Sequence, residues 1–417
     1  MASDPVEIRR RLHAQPEIGW GEFRTTTFVA ERLRALGFDV AVGPDAIDTD
    51  VERRLPEQSV FDEHADRALD AGLDPDLVAE LREGTGVVGT LERGDGPVVG
   101  LRTDIDALAV TEATDDDHRP AREGFAAETP GLMHACGHDG HTAIGLGVAE
   151  RIARDESFDG TLKLFFQPAE EGGGGGRAMA SSGHLDDVDL LLAVHLGIGV
   201  PSGTIVTSLE FLTVSSHDVT FSGAQSHSGA GPQEGRNALL AAATATQNLY
   251  AIPRHADGAT RINVGTLEAG TASNVVPAHA EMRVETRGET DDLCEYVEDR
   301  MEAAVRGAAE SHDVDVEIDS RGRTVSAEHD PETATAVADA IRGLDGVDSV
   351  ESHREVSGSE DACFLMQRVR EHGGKATYLA VGSDLPSGHH TSRFDIDESS
   401  LGVGIDALAT ALTSTLD

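Results

Sequence analysis

Nine residues, Met133-His134-Ala135-Cys136-Gly137-His138-Asp139-Gly140-His141, bring together one thiol, three imidazoles and a carboxylate. A soft sulfur at Cys136 and a borderline nitrogen at His138 suit a divalent transition metal such as zinc, manganese or cobalt, whereas calcium and magnesium prefer shells of oxygen. A polar glycine loop with incidental histidines would explain a lone imidazole, but not this density beside a thiol. A second cluster, Gln167-Pro168-Ala169-Glu170-Glu171-Gly172, closes the apolar run Leu162–Phe166. Consecutive side chains point in different directions, so one carboxylate can hold a metal while its neighbour faces substrate as a general acid or base. A solvated acidic turn competes with that reading, but parallel sheets place ligands beyond the carboxyl ends of their strands.

His195 ends the run Leu190–Val194 in the same manner, although alone it reads as a satisfied core histidine. His389 and His390 follow a further run, Ala376–Val381. Separate segments thus offer cysteine, histidine and glutamate in greater number than one tetrahedral ion requires, and two ions sharing ligands fit the count. The glycines after Glu171 are not a phosphate loop, because they lack the spaced Gly-Lys-Ser/Thr and adjoin carboxylates that would repel phosphate.

The elements that must position these groups alternate in the first half. Helices are predicted at Thr25–Leu36 and His141–Arg154, with strands at Gly86–Leu91, Val98–Leu101 and Leu162–Phe166. This is an α/β pattern with a mostly parallel sheet. From about 210 the pattern becomes α+β: a helix at Asn237–Tyr250, strands at Arg261–Leu267 and His279–Thr286, and a helix from Asp291 to Glu310. The α/β pattern resumes at Pro331–Leu344. The acidic stretch Asp115–His118 is expected to be a mobile loop.

The stretches Leu101–Leu108, His134–Thr142, Gln167–Gly172, Gly223–His227, Thr271–Pro277 and His390–Glu398, in this order, resemble the metallo-aminoacylase family of amidohydrolases. Hippurate hydrolases and auxin-conjugate hydrolases are its close relatives. The opening Arg9–Gly19, followed by Glu22, is similar to that family's amino-terminal signature. Three local features resemble the subgroup formed by the A subunits of p-aminobenzoyl-glutamate hydrolases: the added segment from about 44 to 85, the run Gly229–Asn237 after His227, and the His389-His390 pair within Ser383–Phe394.

The resemblance implies a zinc-exopeptidase-like catalytic domain, discontinuous in sequence at 1–210 and 326–417, with an inserted lid and dimerisation domain at 211–325. It implies that Cys136, His138, Glu171, His195 and His390 hold two divalent ions (Mn, Zn or Co), with His389 as the alternative to His390. Glu170 matches the general base and His227 the lid histidine that donates to the oxyanion. Asn274 matches a lid position that binds the substrate's free carboxylate, with Arg323 as a further candidate. Asp106 would orient a ligand imidazole. The implied activity is metal-assisted hydrolysis of an N-acyl or N-aroyl amino acid, p-aminobenzoyl-glutamate being one candidate. A dipeptidase or carboxypeptidase of the same fold, or a metal-binding subunit without turnover, are the rivals. A homodimer is implied, as is a related second subunit for chains of this subgroup.

Composition narrows the partners. The 417 residues carry 75 acidic against 33 basic side chains, a formal net charge of -42, and Lys163 and Lys375 are the only lysines. Nucleic acid is excluded on charge, and concentrated salt would screen the self-repulsion, so the chain reads as salt-adapted. No membrane span or signal peptide is expected, which points to the cytoplasm. Three cysteines far apart give no disulfide framework.

Overall fold

The computed structural model describes residues 4–327, 330–356 and 358–414. The chain forms two compact units. One holds the residues up to Glu210, a stretch ending at Glu355, and everything from Asp361 on; the other holds Phe211–Ala327 and Val356–Glu360.

The first unit is built on an eight-stranded sheet. In spatial order its strands are Asp39–Val42, Val87–Glu92, Thr161–Gln167, Val98–Asp104, Leu190–Leu196, Lys375–Val381, Thr204–Val206 and Ser349–Glu351. The four central strands, from Thr161–Gln167 to Lys375–Val381, run parallel. Leu190–Leu196 is buried along its whole length, as expected of a central parallel strand covered on both faces. The fold is therefore α/β with a mostly parallel core.

Two strands run further than their apolar residues suggest. Val98–Asp104 and Thr161–Gln167 continue through Arg102, Asp104 and Gln167, all fully buried. Arg102 Nε donates to Gln167 Oε1 at 2.7 Å and Nη1 to Asp104 Oδ2 at 2.9 Å. Polar residues that satisfy one another extend a strand as readily as apolar ones. The helix expected from His141 begins at His138. Its Gly140 permits close packing, since a Cβ there would stand 2.6 Å from a Leu196 methyl.

The added segment near 44–85 forms a 3-10 turn and the helices Gln58–Asp70 and Pro75–Leu81. Its backbone braces the glycine loop after Glu171: Arg54 N–H donates to Gly173 O at 3.0 Å and Asp48 N–H to Ala178 O at 2.9 Å. The stretch expected to be mobile has side-chain partners at its two ends. Asp115 pairs with Arg393, and His118 is buried with Nε2 2.7 Å from Glu112 Oε1. Asp115, Asp116 and Asp117 are exposed, as their acidity suggests, and only His118 is buried.

The second unit is a four-stranded antiparallel sheet ordered Thr260–Ala269, His279–Gly288, Thr213–Ser222 and Asp315–Thr324. The helices Ala238–Tyr250 and Asp291–Ser311 pack on it. Ala241, Ala242 and Ala245 meet Phe221, Met282, Val297 and Met301 in its core. Asn237 and Thr290 cap the two helices, accepting from Leu240 N–H and Leu293 N–H. Among the described residues no helix is long and apolar enough to cross a membrane.

Candidate active site

Four carboxyl-terminal strand ends and the start of one helix deliver the chemistry of the first unit. Beyond Asp104 the chain turns and presents Asp106, whose Oδ1 lies 3.1 Å from His138 Nδ1 and whose Oδ2 accepts from Glu171 N–H at 3.0 Å. One carboxylate thus orients an imidazole and fixes the backbone that carries the second of the paired glutamates. Ala169 adopts φ 50°, an uncommon left-handed conformation for a residue with a Cβ. Its N–H donates to buried Glu22 at 2.8 Å, which secures the turn that presents Glu170 and Glu171.

With Nδ1 committed to Asp106, His138 Nε2 faces inward and is buried without a hydrogen bond. It lies 4.0 Å from Glu170 and 3.9 Å from Glu171. His195 is set similarly: Nδ1 donates to Leu196 O at 2.8 Å, leaving the Nε2 lone pair 3.5 Å from Cys136 Sγ. A neutral imidazole whose other nitrogen is anchored this way is a prepared metal ligand.

Two triplets share the thiol: Cys136 with His138 and His195, and Cys136 with Glu171 and His390. In each, the ligand atoms lie within 4.8 Å of one another. His390, at φ 59°, brings Nε2 to 3.2 Å from Glu171 Oε1. His389 turns the other way, its Nε2 3.3 Å from Leu196 O. The geometry therefore groups His390, not His389, with the thiol.

The electrostatics favour a cation. Hydrogen bonding to Cys136, then to Glu171, holds the His390 imidazole up at about 10. Burial alone would discharge His138, but Asp104, Asp106 and Cys136 carry its pKa well above the ordinary value. Buried His195 instead stays neutral, pushed down by desolvation and by its imidazole neighbours His141 and His389. Orphaned His138 Nε2, the Glu171 carboxylate and the shared soft sulfur suit a divalent transition metal, so the donor set fits the implied ions.

In the second unit, His227 and Asn274 lie side by side, because Ser226–His227 pairs with Val275–Val276. His227 Nδ1 accepts from both Gly229 and Ala230 N–H at 3.1 Å. The proton must then sit on Nε2, as a donor. Arg323 does not stand ready for a substrate carboxylate. Its guanidinium is held by Glu298 at 2.5 Å and by Glu295 at 3.5 Å.

Sequence reasoning missed several groups. His141 Nδ1 lies 2.6 Å from Asp104 Oδ1, while its Nε2 accepts from Leu196 N–H at 2.9 Å. The doubled acids of Asp104-Ile105-Asp106 at a strand end were the available signal. Around Glu112, the imidazole nitrogens His13 Nε2 and His118 Nε2 lie at 3.0 and 2.7 Å. Burial raises the Glu112 pKa, yet the His13 hydrogen bond and charge outweigh it and the net shift is downward from 4.5. Burial and Arg9 oppose charge on His13, but Asp139 and Glu112 prevail and raise it above 6.5. A depressed carboxylate stabilises the fold above its unfolded value, and a raised histidine does so below its own. The gap in Tm between wild type and Glu112→Gln is thus expected to be full between 4.5 and 6.5. It should close as pH falls below that window and narrow as pH rises through the raised value of His13; a gap independent of pH would contradict this.

A thiol, imidazoles and paired carboxylates at the carboxyl ends of a mostly parallel sheet define a metal-dependent hydrolase. Residues 100–414 match the model described as Peptidase family M20/M25/M40, and the chain belongs to that family. An indole-3-acetyl-aspartic acid hydrolase from Enterobacter agglomerans is 44% identical over 97% of this chain and 94% of its own. The A subunit of p-aminobenzoyl-glutamate hydrolase from Escherichia coli (strain K12) is 44% identical over 96% of this chain and 93% of its own. The crystal structure of an aminobenzoyl-glutamate utilization protein from Klebsiella pneumoniae aligns with a TM-score of 0.78 at 36% identity, covering 98% of this chain and 95% of that one. This chain is accordingly a metal-dependent amidohydrolase.

Proposed function

We propose that the chain cleaves the amide bond between an acyl or aroyl group and an acidic amino acid, with p-aminobenzoyl-glutamate or an acyl-aspartate as substrate. The observation that carries the chemistry is Glu170 beside the buried, unsatisfied ligand atom His138 Nε2. The substrate class rests on the two relatives named for aspartate and glutamate conjugates.

In this reading Cys136, His138, Glu171, His195 and His390 hold two divalent ions, manganese, zinc or cobalt. When bound, such ions acidify water and polarise the scissile carbonyl. Glu170 accepts the proton of the attacking water and passes it to the leaving amine, so one carboxylate serves both halves of the transfer. His227, protonated on Nε2, donates to the developing oxyanion. Asn274 receives the free carboxylate of the amino acid.

The 211–325 segment serves as lid and dimerisation domain. An outer strand with exposed Leu267, beside a helix with exposed Leu239, Leu240 and Tyr250, supports contact with a second copy. The Escherichia coli relative is named as one component of a hydrolase, which supports a related second subunit for this chain too. Three free, buried cysteines suit the cytoplasm.

The test is hydrolysis of p-aminobenzoyl-glutamate, indole-3-acetyl-aspartate and hippurate by the purified chain, with each metal added and salt varied. We expect metal-dependent cleavage that prefers the two dicarboxylate products and rises toward about 1 M salt, where screening shortens to ~3 Å. Cleavage of unblocked dipeptides alone would replace this reading with a peptidase, and activity highest at low salt would remove the salt adaptation.

A further inference from the structure

Arg9 is fully buried in a protein of strongly negative charge, and its guanidinium is shared among segments far apart in sequence. From the first helix, Pro5–Ala14, Nε donates to Asp139 Oδ2 at 2.8 Å, Nη2 to Asp395 Oδ1 at 2.9 Å and Nη1 to Glu398 Oε1 at 3.3 Å. Asp139 directly follows the proposed ligand His138, and Asp395 lies on the loop that carries His390. His13, one turn on, reaches Asp139 Oδ2 at 2.8 Å through Nδ1 and Glu112 Oε1 at 3.0 Å through Nε2. Arg119 and Arg10 complete the charge balance, on Asp395 at 2.6 Å and Glu398 at 2.7 Å.

Burying a guanidinium is costly unless fixed carboxylates surround it, and its planar fork rewards partners held in set directions. The loop it grips needs such support. His390 sits in the left-handed region, a conformation that persists only where the surroundings over-determine it. Its backbone N–H also donates to Ala135 O at 2.8 Å, so the His390 loop and the Cys136–His138 loop are in register both at the site and, through Arg9, behind it.

We propose that Arg9 is a positioning residue that locks the His390 loop to the Cys136–His138 loop, so that both proposed ion positions exist together. This rests on the two-ion reading above. Loss of Arg9 should selectively release the ion that depends on His390. The ion held by Cys136, His138 and His195 should stay, because its ligands come from the helix start and a central strand.

The test is calorimetric titration of the full chain with manganese alone, on wild type, Arg9→Met, Arg9→Lys, Asp395→Asn, His390→Ala and the double variant Arg9→Met with His390→Ala. Wild type should bind two ions. Arg9→Met should weaken one of them by at least about tenfold, the range reached by outer-shell changes. It should be the same ion that His390→Ala weakens, with no further loss in the double variant. Arg9→Lys, which keeps the charge but not the fork, should recover part of the affinity. If Arg9→Met fails to fold, Asp395→Asn carries the same expectation with a nearly isosteric side chain. Unchanged affinities, or equal weakening of both ions, would overturn the lock while leaving the two-ion reading intact. A wild-type chain that binds a single ion would overturn both.

Discussion

Glu170→Gln is expected to lower kcat by about a thousandfold, within the range typical of a positioned general acid or base, while metal content stays at the wild-type level. The amide keeps the size and polarity of the side chain but cannot take a proton from water. Position makes the effect specific. Glu170 Oε2 stands 4.0 Å from His138 Nε2, close enough to face the same small volume, and Glu170 belongs to neither of the triplets that share Cys136, of which Glu171 completes one with His390. Steady-state kinetics beside elemental analysis would check it; loss of metal together with activity would reassign Glu170 as a ligand.

Cys136→Ala should have the broadest effect on metal content, because the thiol belongs to both triplets and no other residue does. Removing it takes a ligand from each ion at once. Affinity for both should fall by more than the roughly 100-fold that outer-shell partners can cost, and turnover should fall with it. Cys136→Asp restores an anionic group that can reach two ions, so it should regain part of the metal and activity lost in the alanine variant. Equal loss in the two variants would argue against a shared ligand.

The chemistry was legible where polar residues interrupt apolar strands. His195 and the Glu170-Glu171 pair stand out because nothing apolar explains them, and the mostly parallel sheet followed from alternating strand and helix patterns. What stayed hidden was polar and buried. Arg102 and Gln167 look like the solvent end of a strand until their mutual hydrogen bond is seen. The buried stripe Ile8, Arg9, Leu12, His13 has helical spacing, yet two of its members are polar, so an apolar count passes over it. His389 and His390 could not be separated by spacing alone. A one-residue shift along a loop turns a side chain toward a different neighbour, and only the backbone path sends His390 to Glu171 and His389 to Leu196.

The order of the sheet also bears on how the polypeptide emerges from the ribosome. Lys375–Val381 is an interior strand, flanked by Leu190–Leu196 and Thr204–Val206. Until Lys375–Val381 is made, the fully buried Leu190–Leu196 strand has an open edge where that strand belongs. An unfinished molecule therefore presents a sticky, template-like seam from the synthesis of Leu190–Leu196 until that of Lys375–Val381. His390 follows within the same late segment, so a nascent chain acquires the last of its proposed ligands and seals this open edge in one step.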